Sequence, residues 1–160
     1  MMRIALLLCL TLLMSCARPA PPAPTVYRDL AAPIGSTTRG GLTDLSGDWI
    51  VAAAYPGGPD GGPGQPIIIN ATGPASGTLQ LGGSSVPVTV GLPGRLRDVA
   101  NGTEYWVIWV DDDFRTAVIG TPTGDFGWIM DRPGQASADR LVAAREILDF
   151  SGYDLSRLQQ

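Results

Sequence analysis

Histidine and lysine are both absent from the 160 residues. Without imidazole there is no ordinary general base near neutral pH and no histidine ligand for zinc. Without lysine there is no Schiff-base amine and no phosphate-loop ammonium. Cysteine occurs only at Cys9 and Cys16, so neither a four-cysteine zinc cluster nor a Cys-X-X-Cys redox pair can be built. Positive charge is scarce: 11 arginines face 15 acidic residues, for a net charge of -4. No basic run occurs, so nucleic acid is not an expected partner. Glutamate is confined to Glu104 and Glu146, and no serine has a histidine partner. An enzyme would have to work with Asp, Glu, Ser, Thr, Tyr and Arg alone. No catalytic residue, cofactor or metal site is read from the sequence. Gly (21) and Pro (14) are abundant, while four Trp argue against wholesale disorder.

The N-terminus has its own chemistry. Arg3 is followed by an apolar run from Ile4 to Met14, then Ser15-Cys16. As a helix this run spans about 16 Å, half of a bilayer's roughly 30 Å hydrocarbon core. That length suits a signal-peptide core. Leu13-Met14-Ser15-Cys16 resembles the bacterial lipobox, in which the chain is cut before a Cys that becomes acylated; an ordinary secretory peptide holding a Cys is the alternative. The resemblance implies a signal peptide over residues 1–15, lipid attachment at Cys16 and anchoring in the outer membrane, since Ala17 follows the Cys. Residues 16–44, with Pro19, Pro21, Pro22, Pro24 and Pro33, read as an extended tether. The mature chain would then have no free thiol.

Residues 45–160 read as the folded domain. Eight β candidates follow at short spacing: 48–55, 66–70, 76–81, 86–90, 95–99, 104–110, 114–120 and 126–131. Gly, Pro, Asn or Asp fills nearly every gap, the pattern of an all-β barrel or sandwich. One helix is predicted, with Ser137 as N-cap and Gly152 as stop. Asp111-Asp112-Asp113 lacks the spacing of a calcium loop and reads as a hairpin turn. The sequons at Asn70 and Asn101 also read as turns.

Gly47-Asp48-Trp49 at the first strand resembles the Gly-X-Trp signature of lipocalins. Asp111–Gly120 and Trp128–Arg132 resemble their second and third conserved blocks. Gly152–Leu158 resembles the stretch after the helix in bacterial outer-membrane lipocalins. The resemblance implies a small eight-stranded antiparallel up-and-down barrel with one C-terminal helix. It further implies that Arg132 packs on Trp49 beside Gly47 to close the barrel base. The implied role is non-enzymatic: binding a small apolar molecule of the fatty acid or lysophospholipid class. With Trp49 inward, as the resemblance implies, strict alternation makes Val51, Tyr55, Tyr105, Val107, Trp109, Trp128 and Met130 the candidate lining. Arg95 or Arg97 could meet a ligand carboxylate. The alternative is a filled barrel that acts through its surface. The glycine-rich stretch 55–66 is either a lid over the mouth or a plain connector.

Overall fold

The computed structural model describes residues 25–160. The predicted signal peptide, Cys9, Cys16 and the first part of the predicted tether lie outside the described residues. The described chain opens with a short helix, α1 (Leu42–Leu45). Eight strands follow: β1 (Gly47–Ala54), β2 (Pro66–Gly73), β3 (Ser76–Leu81), β4 (Ser84–Leu92), β5 (Arg95–Asp98), β6 (Glu104–Val110), β7 (Thr116–Gly120) and β8 (Gly127–Asp131). Helix α2 (Ala138–Phe150) and a 3-10 turn at Leu155–Arg157 complete the order. Each strand pairs antiparallel with the next, and β1 pairs with β8, so the sheet is a closed eight-stranded barrel.

Closure follows from the strands' chemistry. Their apolar residues alternate, so one face of each strand builds a continuous interior from Trp49, Ile67, Ile69, Leu79, Leu81, Val88 and Leu96. β7 and β8 are buried at every position. Their outer faces lie beneath α2, where Ala144 and Leu148 pack with Val118 and Ile129. Ser137 caps α2, its hydroxyl accepting from Arg140 N at 3.5 Å. Gly152, at φ +85°, ends it. Val142 and Phe150 remain exposed.

Four strand pairs carry a register irregularity, those of β2–β3 (Ala71/Gly73) and β4–β5 (Val90/Leu92) among them, and the other two fall in strands that supply predicted lining residues. The β1–β8 register skips a residue between Val51 and Ala53, and the β6–β7 register skips one between Val107 and Trp109. Each β-bulge reverses which face the following side chains occupy. Two smaller differences from the sequence reading concern turns. Phe114 belongs to the β6–β7 turn with φ 55°, so β7 starts only at Thr116. Asn70 lies within β2 rather than in a turn.

The tether reading does not hold for residues 25–44. This segment is a strap packed along the barrel wall. Tyr27 N donates to Gly124 O at 2.7 Å, and Asp29 N to Gly152 O at 2.8 Å. The buried Arg28 guanidinium donates to the carbonyls of Ser151, Pro122 and Ala32. Further along, Thr37 N donates to Val107 O at 2.7 Å, and Arg39 pairs with Asp112. The strap then enters α1, whose Leu42 and Leu45 are buried in the barrel core.

Candidate functional site

The closed end is built around Trp49. Its ring is wholly buried, and its Nε1 donates to Leu45 O at 2.8 Å. The Arg132 guanidinium carbon lies 3.9 Å from the ring centroid. Arg132 also donates to the carbonyls of Phe114, Asp48 and Asp44. Gly47 has φ +109°, and a Cβ there would sit 2.9 Å from Arg132 Nη1. Glycine at 47 therefore serves both the backbone conformation and the close approach of the arginine.

A polar lock holds the adjacent β6–β7 turn. Asp111 Oδ1 accepts from Arg115 N at 2.5 Å and Thr116 N at 2.7 Å. Burial alone would raise the Asp111 carboxyl. The hydrogen bonds from Thr116 and Arg115, with the Arg115 charge, bring it below the ordinary carboxylate range. Thr116 is fully buried, donates to Asp131 and accepts from Arg140 Nε at 2.7 Å. Burial raises the Asp131 carboxyl. These groups satisfy one another, so their role is to fix the turn and the start of α2.

At the open end, the Pro56–Gln65 loop folds over towards the β3–β4 turn. A Cβ on Gly82 would lie 3.0 Å from Pro59 O. Asp60 in this loop is wholly buried. Its Oδ2 accepts from Gly62 N at 3.0 Å, whereas Oδ1 has no partner among the described residues. Burial raises its carboxyl above the ordinary range. The sign follows from linkage: a raised carboxyl contributes stability at acid pH that is lost as pH rises through its folded value. Asp60→Asn removes the charged form, so its stability relative to the parent should improve from acid to neutral pH. Denaturant midpoints at both pH values test this, and a constant difference between the two proteins would sink it.

The interior between these ends is apolar. Of the predicted lining, Val51, Tyr105, Val107, Trp128 and Met130 belong to the interior cluster. Tyr55 and Trp109 do not, which corrects the strict alternation. Each follows a β-bulge and lies on the outer face. Tyr55 packs between Tyr27 and Tyr153, with ring centroids 4.8 and 5.3 Å away. Trp109 packs beside α2. The bulges bring Ala54 and Val110 inward instead. Sequence reasoning omitted Ile67, Ile69, Leu79 and Leu81 from the lining, although the alternation of their strands was signal enough. Arg95 also lies outside, its guanidinium carbon 3.8 Å from the Trp106 ring centroid.

Free space in this interior is only about 10 Å³. That is room for about one water, against roughly 300–1,000 Å³ in usual ligand pockets. No polar surface faces this space, and Trp128 Nε1 is buried without a partner among the described residues. Tyr105 and Phe126 flank the ring, their centroids 6.2 and 5.7 Å from it. Burial raises the Tyr105 hydroxyl pKa, and the negative charges of Asp98 and Asp125 add to the effect. A larger groove of about 530 Å³ lies outside the barrel, between the strap, the β6–β7 turn and α2. Its arginines Arg39, Arg115 and Arg140 are all paired with aspartates.

Comparison with known proteins agrees with this architecture. Residues 84–160 match the family model described as a lipocalin-like domain. Temperature-induced lipocalin-1 from Arabidopsis thaliana is 33% identical over 57 residues, which is 36% of this chain and 31% of that protein. The match thus spans about a third of that relative's length. Among solved structures, apocrustacyanin C1 aligns with a TM-score of 0.52 at 11% identity, covering 79% of this chain and 87% of its own. Apocrustacyanin C2 aligns with a TM-score of 0.53 at 10% identity, over 84% and 87% of the two chains. The siderocalin Ex-FABP aligns with a TM-score of 0.52 at 13% identity, over 72% and 92%. The protein has the lipocalin fold, and the match of its residues 84–160 supports the lipocalin family.

Proposed function

We propose that this protein is a lipid-anchored, non-enzymatic binding protein of the bacterial envelope. It holds one small apolar molecule in its barrel. Acyl chains on Cys16 tie it to the outer membrane, on the periplasmic face. The observation that carries the binding role is a closed barrel with an apolar interior. Such a fold suggests binding of a small hydrophobic ligand. The siderocalin Ex-FABP, which shares it, is described as having dual ligand specificities. Molecules of the fatty acid or lysophospholipid class fit through their slender chains. Entry requires packed side chains to move, and Met130, unbranched and adaptable, suits that task.

A second reading has its own observation. Free space of about 10 Å³ favours a filled barrel that acts through its outer surface. Lipid extraction and native mass spectrometry of the purified protein separate the two. Binding predicts one apolar molecule per chain, and added fatty acids of increasing length should bind with rising affinity. No bound molecule, together with no response to any chain length, favours the filled barrel.

The anchor is tested separately. Cys16→Ser should leave the protein unprocessed or soluble, because no other residue accepts the acyl chains. In detergent partitioning the variant should remain in the aqueous phase. Full entry into the detergent phase would show that Cys16 is not the anchor.

A further inference from the structure

We infer that the open end of the barrel, opposite Trp49, rests on the bilayer, and that Val26, Leu30, Val99 and Phe150 form the surface that meets it. The partner is a zwitterionic lipid surface, the one to which the anchor ties the chain. The inference rests on the anchor reading and adds an orientation to it.

The first observation is where the chain enters the fold. Cys16 and Thr25 are nine residues apart, so at most about 32 Å separates the acylated residue from the start of the strap. The strap is clamped at the open end from its first residues. Tyr27 N donates to Gly124 O in the β7–β8 turn, and the Tyr27 hydroxyl donates to Pro56 O in the β1–β2 loop, both at 2.7 Å. Arg157 donates to Val26 O at 3.0 Å and stacks on the Tyr27 ring. From there the strap runs away from the open end, and its Arg39 reaches Asp112 in the β6–β7 turn. The closed end therefore lies a strand's length further on, about 25 Å for the eight residues of β1.

The second observation is where apolar side chains are exposed. Val26 is 38% exposed, Leu30 59%, Val99 62% and Phe150 76%. All four lie towards the open end. Val26 and Leu30 flank the clamp made by Tyr27 and Arg28. Val99 opens the β5–β6 turn, which faces the β7–β8 turn across a shared groove. Phe150 ends α2, next to Gly152, whose carbonyl holds Asp29 N. The other exposed large apolar residues among the described ones are Leu92, at the β4–β5 turn, and Val142, near the start of α2. Scattered singly, such residues need no explanation. Gathered at the end where the anchored chain enters, they can sink into the boundary of headgroups and acyl chains. Each contact is weak, but the anchor supplies a high effective concentration.

Charge selects the lipid. The open end also exposes Asp29, Asp125, Asp149 and Asp154, against Arg97 and Arg157. This excess of negative charge gains nothing from an anionic surface. Zwitterionic headgroups permit the apolar contact without repulsion.

Added tryptophans test the orientation. The acylated full-length protein is placed on vesicles of phosphatidylethanolamine and phosphatidylcholine with brominated acyl chains, carrying Phe150→Trp, Val99→Trp or Ala136→Trp. Ala136 is exposed beside the closed end, and α2 separates it from Phe150 by about 20 Å. Measured against the parent protein, the added fluorescence at 150 and at 99 should be quenched by about half, and that at 136 left unchanged. Exchanging phosphatidylethanolamine for phosphatidylglycerol should not increase the quenching. Equal quenching at all three positions, quenching at none, or quenching that grows with phosphatidylglycerol overturns the inference; if the protein still floats with the vesicles, the anchor reading stands. Failure of the acylated parent to float overturns both. Positions 99 and 150 lie on separate elements, so either one decides if the other variant does not fold. Hydrogen exchange of the parent on the same vesicles gives the reading without any substitution: the 99–103 and 121–126 turns should slow, and the 111–115 turn should not.

Discussion

Replacing Trp49 with alanine is expected to destabilise the protein by about 3–5 kcal/mol. The ring is fully buried at the closed end, so its loss removes apolar burial and leaves a cavity. The same change deletes the bond to Leu45 O and the surface on which Arg132 stacks. Arg132→Ala should cost less, about 1–2 kcal/mol, because the guanidinium keeps contact with solvent. Part of that cost is shared, since the stacking is lost in either variant. A double-mutant cycle by equilibrium denaturation should therefore show coupling of about 1 kcal/mol. Strict additivity would mean that the arginine acts only through its three carbonyl acceptors.

Val107→Asp is expected to abolish the cooperative fold at neutral pH. Val107 lies in the interior cluster and is almost fully buried. No cation lines the space around it among the described residues. An unpaired carboxylate there would cost several kcal/mol or more, comparable to the whole stability of a small domain. Neutralising the group by protonation reduces that cost, so any residual structure should increase at acid pH. Loss of near-UV circular dichroism at neutral pH, partly regained on acidification, is the expected signature. A variant that unfolds at the same denaturant concentration as the parent at neutral pH would show that water reaches this part of the interior. Val107→Ala is the companion measurement. It should cost about 1–3 kcal/mol and enlarge the interior, so an apolar ligand should bind it more tightly if the barrel can be occupied.

Much of this architecture was legible from residue pattern. The eight strands are short apolar runs with turn residues between them, and such runs can bury themselves only by pairing. Ser137 and Gly152 marked the helix ends by their own local chemistry. The inward or outward direction of a side chain was legible only as far as the first bulge. Val51 and Val107 precede one and face inward; Tyr55 and Trp109 follow one and face outward. A bulge reflects the match between two strands, so the sequence of one strand does not reveal it. The strap was hidden for a different reason. Its prolines read as a spacer, while two of the three carbonyl partners of Arg28 lie 94 and 123 residues away. Free volume was not legible at all, because it depends on how closely many side chains interlock.

The strap has a consequence for self-association. β5 pairs with β6 only through Arg95–Arg97 and Glu104–Trp106. Beyond these three pairs the β6 edge continues through Ile108, Trp109 and Val110, in a strand rich in aromatic and β-branched residues. An exposed edge of this composition is a template for another chain to extend. The strap crosses this seam, where Thr37 bonds to Val107, and its Pro33 has no N–H to offer a further strand. It is pinned at one end by Tyr27 and Arg28, and at the other by Arg39 and α1. Lesions that free the strap would thus act first by letting copies of the barrel join edge to edge, before the barrel itself unfolds.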